Sequence, residues 1–150
     1  MTRLSEAFAE ARANDDPQAL VALVPYCMFL GISARFEGGR IVSSMRYDPA
    51  LIGNPTVPAL HGGTIGALLE SAAIFQAAWE AEPLAFPKTI TLTIDYLRSG
   101  RPVDTHARAK IVKRGRRVLS VHAEAFQEDP DKPITSAVVH LLVGRDEASK

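Results

Sequence analysis

A chain of 150 residues, 47% hydrophobic and 23% charged, has the length and apolar content of one domain with a substantial core. Seventeen basic and seventeen acidic side chains cancel to a formal net charge of zero, which excludes the broad positive field of a general nucleic-acid binder and gives no reason to expect attraction to anionic membranes. The single cysteine, Cys27, excludes an internal disulfide and a thiolate metal cluster within one chain, and it reads as a small packed side chain.

Arg3, Glu6, Glu10 and Arg12 interrupt the first residues, so no apolar run of a signal peptide forms, and no stretch of about 18 apolar residues follows anywhere. The expectation is a cytoplasmic chain that does not enter a membrane. Residues 4–23 divide into two short amphipathic helices at Asn14-Asp15-Asp16-Pro17, which reads as a helix stop, an N-cap and a proline at the next first helical position. These helices are expected to pack over the outside of the domain.

From Ile32 to Tyr47 the residues suit two strands, with Gly38 and Gly39 in the tight turn between them. Residues 48–58 contain three prolines and one glycine, a composition that predicts an irregular loop leading into His61. The run from Leu60 to Trp79 holds no Pro, Asp, Asn, Lys or Arg and predicts one long helix. Ile65, Leu68, Leu69, Ala72, Phe75 and Trp79 share one broad side of it. Glu70 projects from the other side, where its helical neighbours are Gly66, Ala67, Ala73 and Ile74. A carboxylate among small apolar residues is costly unless it is paired or functional. Gly62 and Gly63 occupy the first turn, whose N–H groups lack intrahelical partners and face a developing negative charge favourably. One helix therefore offers an anion-stabilising end and an acid or base.

After breaks at Glu82-Pro83 and Phe86-Pro87 the period changes to two. Lys88 to Arg98 alternates, with Thr89, Thr91, Thr93 and Asp95 on one face and Ile90, Leu92, Ile94 and Tyr96 on the other. Residues 105–112, 118–127 and 134–143 complete the strands, joined by short polar turns that make antiparallel neighbours. An antiparallel sheet of about six strands wrapped around one long helix is an α+β plan.

The order of these features resembles the hotdog-fold acyl-CoA thioesterases of the phenylacetate-pathway (PaaI-like) and 4-hydroxybenzoyl-CoA type. The motifs are Pro25-Tyr26 followed by Leu30-Gly31, the Gly53-Asn54 loop, His61-Gly62-Gly63 with Glu70 nine positions after the histidine, and Thr89 to Tyr96 leading into Leu97-Arg98. The resemblance covers roughly residues 25–143 and implies a hotdog thioesterase domain over 25–150, preceded by the helical lead-in of residues 1–24, a single domain overall. It also implies hydrolysis of an acyl-CoA to free acid and CoA with no cofactor and no metal, in a homodimer or dimer of dimers whose sites lie between subunits. Gly62 would donate its N–H to the thioester oxygen, and Glu70 of the partner subunit would act as nucleophile or as general base. The family's Asn or Gln six positions before the histidine falls on Pro55 here, so Asn54 is the candidate, and Thr89 matches a Ser or Thr that assists water. His61 is a candidate catalytic residue, although a helix-capping role suits its position better. Gly63, Arg98, Arg101 and the basic turn of Lys113, Arg114, Arg116 and Arg117 are candidates for holding substrate, the arginines for its phosphates. His106, His122 and His140 lie on strands without metal-ligand spacing. A hotdog hydratase or dehydratase and a non-catalytic acyl-CoA-binding module are the alternatives.

Overall fold

The computed structural model describes residues 3–80 and 86–144, so the break expected at Glu82-Pro83 lies outside the described residues. Helices α1 (Arg3–Ala13) and α2 (Pro17–Ala22) separate at the expected stop. Asp15 takes a positive φ of 51°, which aspartate tolerates better than most residues. Asp16 caps α2 by accepting the Ala19 N–H at 3.2 Å. Phe8, Ala11, Leu20 and Val21 are buried in the same core cluster as the central helix, so these helices complete the core as well as cover it. A third short helix, α3 (Pro25–Phe29), is absent from the sequence expectation; Pro25 starts it as Pro17 starts α2.

Strands β1 (Ile32–Glu37) and β2 (Arg40–Met45) form the first hairpin, with Gly38 and Gly39 both at positive φ, 60° and 76°. That is the requirement of a two-residue primed turn. Residues 48–58 are more regular than their composition predicts. Pro49–Leu51 form a 3-10 turn, and β3 (Ile52–Asn54) pairs with β4 (Ala59–Leu60) in a small separate ladder. The prolines do not prevent this, because Pro55 and Pro58 fall in the turn between the two strands, where no ladder N–H is needed.

The central helix α4 (Gly62–Glu80) starts two residues later than the apolar run, since Leu60 belongs to β4. It is followed by β5 (Lys88–Tyr96), β6 (Thr105–Arg114), β7 (Val118–Phe126) and β8 (Thr135–Leu142). The main sheet is antiparallel with strand order β1-β2-β6-β7-β8-β5, so β5 forms one edge. Ala107 and Ala109 of β6, Ala123 and Ala125 of β7 and Ala137 of β8 are all buried facing α4. Small side chains at the middle of the sheet let it curl close around the helix. Ile65, Leu68, Leu69 and Phe75 fill the space between, each stabilising the fold by about 1.5–3 kcal/mol relative to exposure. Among the described residues no helix is long and apolar enough to cross a membrane.

The alternation predicted for β5 is broken once. The register with β8 slips between Thr89 and Thr91, making Ile90 a bulge. Thr89 pairs with buried Leu141, Leu92 with Val139 and Ile94 with Ala137, and these share the inner face. The sequence pattern puts Thr89 on the outer face; the bulge turns it inward.

Candidate active site

The start of α4 is built around His61. Its N–H donates to the Leu51 carbonyl at 2.8 Å, anchoring it to the 3-10 turn. Its ring caps the helix, with Nδ1 accepting the Gly63 N–H at 2.8 Å, so Nδ1 carries no proton in this arrangement and the neutral ring holds its proton on Nε2. The His61 carbonyl accepts the Thr64 N–H at 3.0 Å, the Ile65 N–H at 3.4 Å and the Thr64 hydroxyl at 2.7 Å. Gly63, Thr64 and Ile65 thus all spend their N–H groups locally. The Gly62 N–H has no acceptor among the described residues. Beside it opens a depression of about 520 Å³ bordered by Gly62, Ile65, Tyr96, Leu97, Arg98 and Ser99.

Glu70 lies eight residues further along α4, about 12 Å by the helical rise. It is half-buried, and Thr89 donates its hydroxyl to Glu70 Oε1 at 2.8 Å. Among the described residues no cation pairs with Glu70, and its second oxygen has no partner. It borders a second, mainly apolar recess of about 190 Å³ with Val24, Tyr26, Ile74, Phe75 and Phe86. Cys27 and Ser71 contribute to the same wall, Sγ and Oγ 3.4 Å apart. Burial pushes the Cys27 thiol up, against the lowering effect of the Ser71 contact, which suits a packed thiol rather than a nucleophile.

The structure therefore forms two groups, His61, Gly62, Gly63 and Arg98 at the helix start and Glu70 with Thr89 at its middle, and within one chain it does not bring them together. Asn54 is the exposed last residue of β3, its Oδ1 accepting the Thr56 N–H at 3.1 Å. Arg114 is ion-paired with Glu80 at the far end of α4, 18 residues or about 27 Å from Gly62 along the axis, and Lys113, Arg116 and Arg117 are exposed beside it. Arg101 pairs with Glu128 at 3.0 Å. His106 Nδ1 lies 2.7 Å from the Ser44 hydroxyl and His140 Nδ1 2.8 Å from the Thr91 hydroxyl. Among the described residues no three His, Cys, Asp or Glu side chains converge as metal ligands would. Sequence reasoning misses Tyr96, whose hydroxyl donates to the Gly62 carbonyl at 2.7 Å. The pattern places Tyr96 at the end of an inward-facing strand row but carries no sign of what lies opposite.

Residues 58–134, just over half of the chain, match the family model described as thioesterase superfamily. The medium/long-chain acyl-CoA thioesterase YigI of Salmonella typhimurium is 27% identical over 135 residues, covering 81% of this chain and 86% of that protein. A crystal structure from Chromobacterium violaceum is 36% identical, covers 95% of this chain and 99% of its own, and superposes with a TM-score of 0.75. A Bacillus halodurans protein solved with CoA shares the fold at a TM-score of 0.74 and 18% identity, over 98% of this chain and 97% of its own.

Proposed function

We propose that this chain, which belongs to the thioesterase superfamily and is a thioester hydrolase of hotdog fold, acts on acyl-CoA, with Glu70 as its reactive carboxylate and the Gly62 N–H as its oxyanion donor. The observation that carries the reading is Glu70 itself: a half-buried carboxylate in an apolar recess, with one oxygen oriented by Thr89 and the other without a partner among the described residues. Among the described residues nothing neutralises it as a structural ion pair would. The acyl-CoA preference is supported by the kinship with YigI and by the fold shared with the CoA-bound protein from Bacillus halodurans.

As water or the carboxylate adds to the thioester carbonyl, its oxygen becomes anionic, and one preorganised N–H donor at that point is worth about 3 kcal/mol. In the general-base route Glu70 takes the proton from water as the new C–O bond forms. The C–S bond then breaks, releasing free acid and the CoA thiolate, which regains a proton. In the nucleophilic route Glu70 itself adds to the carbonyl, CoA leaves, and water hydrolyses the resulting anhydride. Both routes use the same two groups.

Because Gly62 and Glu70 are about 12 Å apart on one helix, each site is read as joining Gly62 of one subunit to Glu70 of the partner subunit. The outer edge of β5, a nine-residue strand paired only with β8 in the main sheet, suits strand addition by a second copy. Arg98 stands beside Gly62 and is assigned to substrate phosphate or carbonyl. Gly63 and Asn54 are assigned to shaping the helix start, and Arg114, Arg116 and Arg117 to the nucleotide portion of CoA from the opposite end of a subunit.

The test is free-thiol release from a panel of aryl and fatty acyl-CoAs by the wild-type chain and by Glu70→Gln. The expected result is turnover by the wild type and a loss of about 100-fold or more in the variant, with an unchanged far-ultraviolet circular dichroism spectrum. Full activity in Glu70→Gln excludes the assignment. Hydration of an enoyl-CoA in place of thiol release selects a hydratase, and tight binding without turnover selects a binding module.

A further inference from the structure

Two successive peptide groups decide where the Gly62 N–H points. The carbonyl of the first, between His61 and Gly62, is drawn into the helix by the Thr64 hydroxyl and the N–H groups of Thr64 and Ile65. In a planar trans peptide the N–H lies opposite the carbonyl, so the Gly62 N–H projects outward from the helix start. The second peptide, between Gly62 and Gly63, is held at both ends. Its N–H donates to His61 Nδ1 at 2.8 Å and its carbonyl accepts the Tyr96 hydroxyl at 2.7 Å.

A Gly-Gly step has the widest backbone freedom of any dipeptide, so at this first turn of α4 such partners add to what the helical ladder alone holds. Tyr96 differs from the others in belonging to β5, 34 residues away in sequence. It ties the helix turn to the sheet. Its ring lies over Gly62 so closely that a Cβ on that residue would come within 3.1 Å of it. Yet the residue is 53% exposed, too open for a core role to account for it.

We propose that Tyr96 is a positioning residue for thioester hydrolysis: its hydroxyl, opposing His61 Nδ1, fixes the Gly62–Gly63 peptide so that the Gly62 N–H alone is presented to the thioester oxygen. The inference rests on the reading of Gly62 as oxyanion donor.

Tyr96→Phe keeps the ring and removes only the hydroxyl. The expected result is a fall in kcat of about tenfold with KM changed by less than about twofold, an unchanged thermal midpoint, and faster amide hydrogen exchange at Gly63 by nuclear magnetic resonance. His61→Asn, whose Oδ1 can still cap the helix, is expected to retain more activity than His61→Ala. Unchanged kcat overturns the proposal, as does a raised KM at constant kcat, which would make Tyr96 a substrate-binding residue. A fall in thermal midpoint accounting for the lost activity also overturns it. If the wild type releases no thiol while Gly63 exchange still responds to Tyr96→Phe, the acyl-CoA hydrolase reading fails and the clamp stands as structure only.

Discussion

Among the described residues Thr89 gives Glu70 its one hydrogen bond, hydroxyl to Oε1 at 2.8 Å, and so sets which carboxylate oxygen stays open. Thr89→Val keeps the shape and removes the donor. The expected cost is about tenfold in kcat, equivalent to ~1.4 kcal/mol of transition-state stabilisation, with the fold intact; steady-state kinetics beside a melting curve checks it, and unchanged kcat would remove Thr89 from the site. Glu70 is legible in the sequence, because a carboxylate among Gly66, Ala67, Ala73 and Ile74 conflicts with its surroundings. Thr89's candidacy is legible only through family resemblance, and its bond to Glu70 only in the structure. Strict alternation sends its side chain outward, and the bulge at Ile90 that reverses it is a matter of pairing with β8, which no local pattern encodes.

Helix α4 carries both groups of the proposed site, and the segment before it is its support. Leu51 and Gly100 carbonyls hold the N–H groups of His61 and Leu60 at 2.8 and 2.9 Å, and Gly53 lies flat against His61. A Cβ on Gly53 would stand 2.6 Å from His61 Cα, a backbone neighbour with no rotamer to change. Gly53→Ala is therefore expected to destabilise the chain by about 1–3 kcal/mol and to lower kcat by displacing the cap; thermal unfolding with activity measured below the transition checks both, and wild-type values for the two would contradict this account of the loop. The helix and hairpin were readable from apolar spacing and from the paired glycines. The β3–β4 ladder was not, since two strands of three and two residues give no periodicity and their prolines suggest the opposite. Likewise α3, at five residues, is too short to show a 3.6-residue repeat.

At the scale of the molecule, one chain holds two separate recesses, one at the start of α4 beside Gly62 and one at its middle beside Glu70, which the proposed function reads as half-sites. The α+β plan and the six-stranded sheet follow from alternation and turn chemistry, and their hotdog character from motif order. The spatial separation of Gly62 from Glu70 follows from helical rise alone. What local sequence could not supply is which strands lie side by side: β2 beside β6, and β8 beside β5, are pairings between distant segments. The edge position of β5 that results is where the proposed second copy would add. A homodimer or larger assembly is the expected state in sedimentation or light scattering at micromolar concentration, and a monomer there would contradict the shared-site reading.

The most direct test of a shared site is subunit mixing. Glu70→Gln removes the carboxylate, and Gly62→Pro removes the donor N–H at a first helical position; because a side chain there comes within 3.1 Å of the Tyr96 ring, the fold of that variant is checked by circular dichroism before mixing. Each homodimer is expected to be inactive. Unfolded together in equal amounts and refolded, half of the dimers are mixed and each carries one intact site of two, so about a quarter of wild-type thiol release should return. If Gly62 and Glu70 of the same chain served one site, every site in the mixture would carry a defect, and no recovery of activity would contradict the account.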